Sequence, residues 1–147
     1  MKKTYKTEST AETERVGLEL ARELRARDIT RGFIALEGDV GVGKTVFTRG
    51  FASYFGISGI KSPTYTIVNE HRSELSDIYH FDLYRITDED DLYSIGFDEY
   101  VERVGFCIAE WSERLGGELP SGAIRVKISK TEGLGDERII EITRPWE

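Results

Sequence analysis

The chain has 147 residues, 39% hydrophobic and 32% charged. That balance excludes a disordered or fibrous protein and suits one folded domain over residues 1–147. A formal net charge of −7, from 20 basic and 27 acidic residues, repels a phosphate backbone and argues against nucleic acid as a direct partner. One cysteine cannot form an internal disulfide, and there is neither an apolar run of about eighteen residues nor a signal-like stretch behind the basic start, so the expectation is a cytoplasmic protein with no membrane partner.

Ser9-Thr10-Ala11-Glu12 has the form of a capping box, and Val16, Leu20, Ala21 and Leu24 follow at helical spacing. A first helix is expected to about Arg27. Residues 33–36, Phe-Ile-Ala-Leu, are a short continuous apolar run, the pattern of a strand buried on both faces. A glycine-rich loop follows, and then Phe47, Phe51, Ala52 and Phe55 mark one face of a second helix stopped by Gly56. Residues 64–70 and 78–82 predict two strands around a polar turn at 72–76. Thr87-Asp88-Glu89-Asp90-Asp91 opens an acidic helix start, which complements the helix dipole. Residues 106–109, Phe-Cys-Ile-Ala, are a second apolar run and predict a central strand. Segments 124–129 and 138–143 alternate apolar and polar residues, as in a hairpin with one wet face.

Gly38-Asp39-Val40-Gly41-Val42-Gly43-Lys44-Thr45 matches the P-loop pattern G-x-x-x-x-G-K-[ST] in full. The glycines let the backbone fold tightly, so that successive N–H groups turn inward and form an anion nest. Lys44 reaches the β- and γ-phosphates, and Thr45 puts a hydroxyl on magnesium at the first turn of the helix. The required context is a strand before the loop and a helix after it, which residues 33–36 and 47–55 supply. ATP and Mg²⁺ are therefore the expected cofactors. The fold class is α/β, a P-loop NTPase-like three-layer fold. Because most of the later elements are strands, the sheet is expected to be mixed parallel and antiparallel, flanked by helices.

Such a site also needs a carboxylate at the end of a neighbouring apolar strand. Glu110 ends the more apolar run and is the candidate metal ligand beside Thr45. Asp82 ends the wetter, aromatic-rich run at 78–81 and is the candidate to orient or deprotonate the attacking water. His80 faces the same side as Asp82, either to assist the site or as a structural histidine. Cys107 reads as core packing, since a buried apolar strand offers nothing to lower its pKa.

The P-loop, Ser62-Pro63-Thr64-Tyr65-Thr66, His80-Phe81-Asp82-Leu83-Tyr84-Arg85 and Glu110-Trp111-Ser112-Glu113 occur here in that order. Together they resemble the bacterial TsaE (YjeE) family over nearly the whole chain. These are ATPases required for making threonylcarbamoyladenosine beside the anticodon of certain tRNAs. The resemblance implies that Thr45 and Glu110 bind magnesium and that Asp82, with Lys44, serves catalysis. It makes Ser62, Thr64 and Thr66 part of a switch-like segment near the γ-phosphate; on the residues alone, Pro63 extends its predecessor and the threonines offer hydroxyls. It places contacts to the nucleotide base near Thr10 or Thr13. Trp111 is a candidate for packing on the nucleotide or a partner, with core filling as the other reading. Val46 stands where many members carry a second threonine.

The resemblance further implies a complex with the threonylcarbamoyl transferase and its companion subunit, with tRNA met indirectly at most. Hydrolysis, slow in the isolated chain, would reset that complex between turnovers. A small-molecule kinase on the same cradle is the alternative, and it would move phosphate to an acceptor other than water. A guanine-reading switch is disfavoured, because no Asn-Lys-x-Asp stretch occurs. Arg22, Arg25, Arg27 and Arg31 read as a solvated helix face rather than a tRNA patch.

Overall fold

The computed structural model describes residues 2–39, 41–63, 66–115, 119–132 and 135–147, with Glu113 and Arg114 described in backbone alone. Val40 of the P-loop and Thr64 of the switch-like segment lie outside the described residues.

The chain opens with a strand that its polar sequence does not announce. β1 (Lys2–Thr7) is an edge strand, antiparallel to β7 (Arg138–Thr143) from Lys2 opposite Thr143 to Thr7 opposite Arg138. Lysines on an exposed edge discourage pairing with other chains, which explains why an apolar alternation is missing here. α1 (Thr10–Ala26) starts at Ser9, whose side chain accepts from the Glu12 N–H at 3.1 Å. The Glu12 carboxylate closes the box on the Glu8 N–H at 3.0 Å, one residue before the usual partner.

β2 (Arg31–Glu37) runs straight into the glycine-rich loop, and α2 (Lys44–Tyr54) leaves it. β3 (Val68–His71) is shorter than the strand expected at 64–70, because the chain turns at Thr66 and Ile67 before entering it. β4 (Ile78–Asp82) and β5 (Gly105–Glu110) are buried at every position. The expectation that residues 78–82 are the wetter strand is therefore corrected. β4 is flanked by β3 and β5, and its side chains alternate between two apolar layers, so neither face is solvated. Between β4 and β5 lie the short helices α3 (Glu89–Ser94), capped by Asp88 as its acidic start suggests, and α4 (Phe97–Glu102). β6 (Ile124–Lys130) and β7 form the expected antiparallel hairpin.

The seven strands lie in the order β1-β7-β6-β2-β5-β4-β3. β2–β5, β2–β6 and β4–β5 are parallel, and the remaining pairs are antiparallel. Period-two alternation splits the strands into two cores. Ile34, Leu36 and Ile108 face α1 and α2, while Phe33, Ala35, Cys107 and Ala109 face α4. Fully burying a large apolar side chain stabilises by about 1.5–3 kcal/mol, so both layers hold the sheet. α1 and α2 cross at Gly17 and Gly50, where a β-carbon would overlap the carbonyl oxygens of Phe47 and Glu14 respectively.

Candidate functional site

The parallel register brings the C-terminal ends of three strands to one edge of the sheet. Leu36 stands opposite Glu110, and Glu110 opposite Asp82, so both carboxylates lie beside the point where β2 gives way to the loop. This is the edge at which open α/β sheets bind ligands. Glu110, Asp82 and His80 share one face of the sheet by period-two alternation, the face covered by α2.

The loop itself has the backbone its sequence demands. Gly38, Gly41 and Gly43 take φ of 148°, 80° and 110°, values that L side chains rarely adopt. Gly43 is the N-cap of α2, and no side chain caps that end, so the first-turn N–H groups are left for an anion. Lys44 is buried, its Nζ donating to the Gly38 carbonyl at 2.8 Å and lying 4.4 Å from the centroid of the Trp111 ring. Trp111 itself has φ of 60°, an uncommon conformation for a non-glycine residue, stored where the chain turns off β5. That turn sets its ring against Tyr84, with the planes tilted by 60° and centroids 5.0 Å apart.

These groups surround a cavity of about 740 Å³, lined among others by Gly41, Gly43, Lys44, Thr45, Ser62, Asp82, Glu110 and Trp111. That volume is within the usual range for a small-molecule site, about 300–1,000 Å³. Its walls carry the buried Lys44 cation, the hydroxyls of Thr45 and Ser62, and two carboxylates. His80 is fully buried, and its Nε2 lies 2.7 Å from Glu110 Oε2, which holds that carboxylate in one orientation. Asp82 is held through its neighbours. Its Oδ1 accepts from the Tyr84 N–H at 3.0 Å, and its own N–H donates to the Ile67 carbonyl at 2.8 Å. Ile67 has φ of 71° and donates to the Pro63 carbonyl at 2.9 Å, so Pro63 and Ile67 are linked to Asp82 through backbone hydrogen bonds.

The sequence candidates distribute as follows. Lys44, Thr45, Asp82, Glu110, Trp111 and Ser62 come together on the cavity, with Val46 beside Thr45. Thr66 donates its hydroxyl to Asn69 Oδ1 at 2.6 Å and is exposed. Thr10 is exposed at the start of α1. Thr13 is buried, sharing a hydrogen bond with the Thr7 hydroxyl at 2.8 Å, and its methyl lies toward Gly43. Asp39 accepts from the Val42 N–H through its carbonyl at 3.3 Å. Cys107 is buried, and burial pushes its thiol pKa up to about 12. Arg22 pairs with Glu19, Arg27 with Glu23, and Arg31 donates to the Glu102 carbonyl. Two neighbours of the loop were given no role of their own by the sequence reading. Tyr84 was visible only as part of a motif, and Arg138, which donates to the Val42 carbonyl, had no local signal.

The donor set suits magnesium. Hard oxygen donors from one hydroxyl and one or two carboxylates, leaving positions for phosphate and water, are the usual protein share of such a site. Thr45 and Glu110 would hold the ion, and when bound it would neutralise charge on the phosphates.

A sequence profile described as "Threonylcarbamoyl adenosine biosynthesis protein TsaE" matches residues 7–140. A Bacillus subtilis protein named tRNA threonylcarbamoyladenosine biosynthesis protein TsaE is 40% identical over 111 residues, 75% of this chain and 68% of that protein. Its namesake in Haemophilus influenzae is 43% identical over 110 residues, 74% and 68% of the two chains. One from Rickettsia bellii is 31% identical over 140 residues, covering 94% and 92%. The crystal structure of Bacillus subtilis YdiB superposes with a TM-score of 0.79 at 31% identity, over 98% of this chain and 86% of that one. Among the described residues, no helix is long and apolar enough to cross a membrane.

Proposed function

The chain belongs to the TsaE family of threonylcarbamoyladenosine biosynthesis, and from that premise we propose that it is a magnesium-dependent ATPase that supports this tRNA modification. It acts within a complex with the threonylcarbamoyl transferase and its companion subunit, and it meets tRNA only through them. The observation that carries the reading is the convergence of Lys44 and Thr45 from the loop with Asp82 and Glu110 from two adjacent strands on one cavity.

In this reading the inward N–H groups of the loop and the first turn of α2 bind the β- and γ-phosphates. Lys44 leaves the Gly38 carbonyl to meet them, and its charge balances theirs. Glu110 is kept in place by His80, and Thr45 presents its hydroxyl from the first turn of α2. Asp82, steadied by the Tyr84 N–H, orients the attacking water. Phosphoryl transfer is mostly positioning and charge neutralisation, so a chain whose set is completed by partners turns over slowly alone.

The test is ATP hydrolysis by the pure chain, with and without the two partner proteins. A basal rate well under about 10 per second, raised strongly by the partners, supports the proposal. A rate the partners leave unchanged removes the coupling to tRNA modification, and phosphate passing to an acceptor other than water marks a kinase. Two variants divide the labour between the carboxylates. Glu110→Gln should lose the magnesium dependence of ATP binding, whereas Asp82→Asn should bind Mg-ATP normally and lose turnover by about a hundredfold or more.

A further inference from the structure

Arg138 opens β7, 96 residues along the chain from Val42, yet its Nε donates to the Val42 carbonyl at 2.7 Å. The same guanidinium donates through Nη1 to the carbonyls of Gly135 and Glu137, at 2.9 and 2.8 Å. The hairpin connection thus orients the guanidinium, and the guanidinium orients the peptide between Val42 and Gly43. A peptide unit is planar and trans, so its C=O and N–H point in opposite directions. With the Val42 oxygen held toward β7, the Gly43 N–H is turned to the other side, into the cradle that ends at the N-cap of α2. The Val42 N–H is tied as well, donating to the Asp39 carbonyl at 3.3 Å, and the Val42 side chain is buried under Gly38.

We infer that Arg138 is a positioning residue of the phosphate cradle, aiming the Gly43 N–H at a nucleotide phosphate by holding the Val42 carbonyl from behind. The inference rests on the nucleotide-binding reading above and names a residue outside the P-loop pattern that the reading needs. A charge-assisted bond is about twice as strong as a neutral one, and here it acts on a loop whose glycines leave the backbone free to turn. Without it, the peptide can rotate and the nest loses one inward donor before any ligand arrives. Arginine suits the task because its planar fork serves two carbonyl groups on the hairpin and one on the loop at once.

The experiment uses the full chain, unsubstituted and as Arg138→Met and Arg138→Lys. It reads ADP affinity by calorimetry, the thermal midpoint, and the backbone ¹⁵N resonance of Gly43 in the ligand-free protein. That nitrogen belongs to the same peptide as the Val42 carbonyl, so it reports the bond directly. Arg138→Met is expected to weaken ADP binding about tenfold and to move the Gly43 resonance; Arg138→Lys, which keeps the stem and one donor group, is expected to cost about threefold. A folded Arg138→Met chain with unchanged ADP affinity and an unmoved Gly43 resonance would make Arg138 a brace of the hairpin alone and overturn the inference. Should Arg138→Met fail to fold, the same two readouts on Arg138→Lys decide it. An unsubstituted chain that binds no ADP overturns the nucleotide reading itself, and this inference with it, which a failure confined to the variants does not.

Discussion

The two faces of the sheet are built to different tolerances. On one, α1 and α2 cross so closely that their backbones touch at Gly17 and Gly50, with no space for a methyl group. On the other, two six-residue helices lean on the sheet through Phe97 and through the half-buried Leu92, Ile95, Tyr100 and Val101. The same strands feed both layers, yet the loop, Asp82 and Glu110 all belong to the tighter one. An anion nest gains from donors that need no reorganisation when the ligand arrives. A helix held backbone to backbone keeps its N-terminus in place better than one resting on flexible side chains. The looser face supplies apolar burial and edge-on aromatic contacts, such as Phe97 against Phe33 and Phe81 at 5.8 and 5.5 Å between centroids.

That contrast can be broken by substitution. The largest effect is expected for Gly50→Ala, whose β-carbon would overlap the Glu14 carbonyl. Driving the helices apart should cost about 4 kcal/mol or more, read as loss of the folded state or a collapse of the thermal midpoint. If Gly50→Ala melts like the parent, the helices have room to spare and the contrast is wrong. On the looser face, Phe97→Ala should cost about 3 kcal/mol in denaturant unfolding while leaving ADP affinity in the folded fraction within twofold. A large loss of affinity there would mean that the two faces are coupled.

A smaller effect is pH dependent. Burial raises the Cys107 thiol well above the usual thiol range, to about 12, so the folded chain keeps its proton where the unfolded chain loses it. The stability this group contributes is complete below about pH 9 and is lost progressively as pH rises from there towards about 12. Cys107→Val should flatten the alkaline limb of stability against pH; an identical limb would remove the assignment. Smallest is Ser9→Ala, which deletes the cap on α1 and should cost about 1 kcal/mol, measured by the shift in the urea midpoint.

Much of the tighter face was legible in advance because its signals are local. A capping residue, an apolar repeat along α1 and a loop pattern ending in Lys44-Thr45 all lie within one or two turns of chain. The short apolar runs at 33–36 and 106–109 read as central strands because a strand buried on both faces cannot afford polar side chains. The shape of the sheet was harder. Residues 78–82 looked wet because they hold His, Asp and Tyr, but His80 is satisfied by Glu110 and Tyr79 donates to the Val104 carbonyl, so the strand is buried all the same. β1 stayed hidden because an exposed edge strand needs no apolar alternation.

By itself, then, the sequence determined most of the elements, the order in which those come, and the residue types gathered at the P-loop. Each of those follows from backbone preference and hydrophobic period over a few residues. The tertiary structure alone decided that Asp82 stands opposite Glu110, that His80 reaches it, and that Arg138 reaches Val42. Such pairings depend on strand order and register, and a shift of one residue in register sends every side chain to the opposite face. No local pattern encodes that choice; it comes from burying two apolar layers at once on a shared sheet.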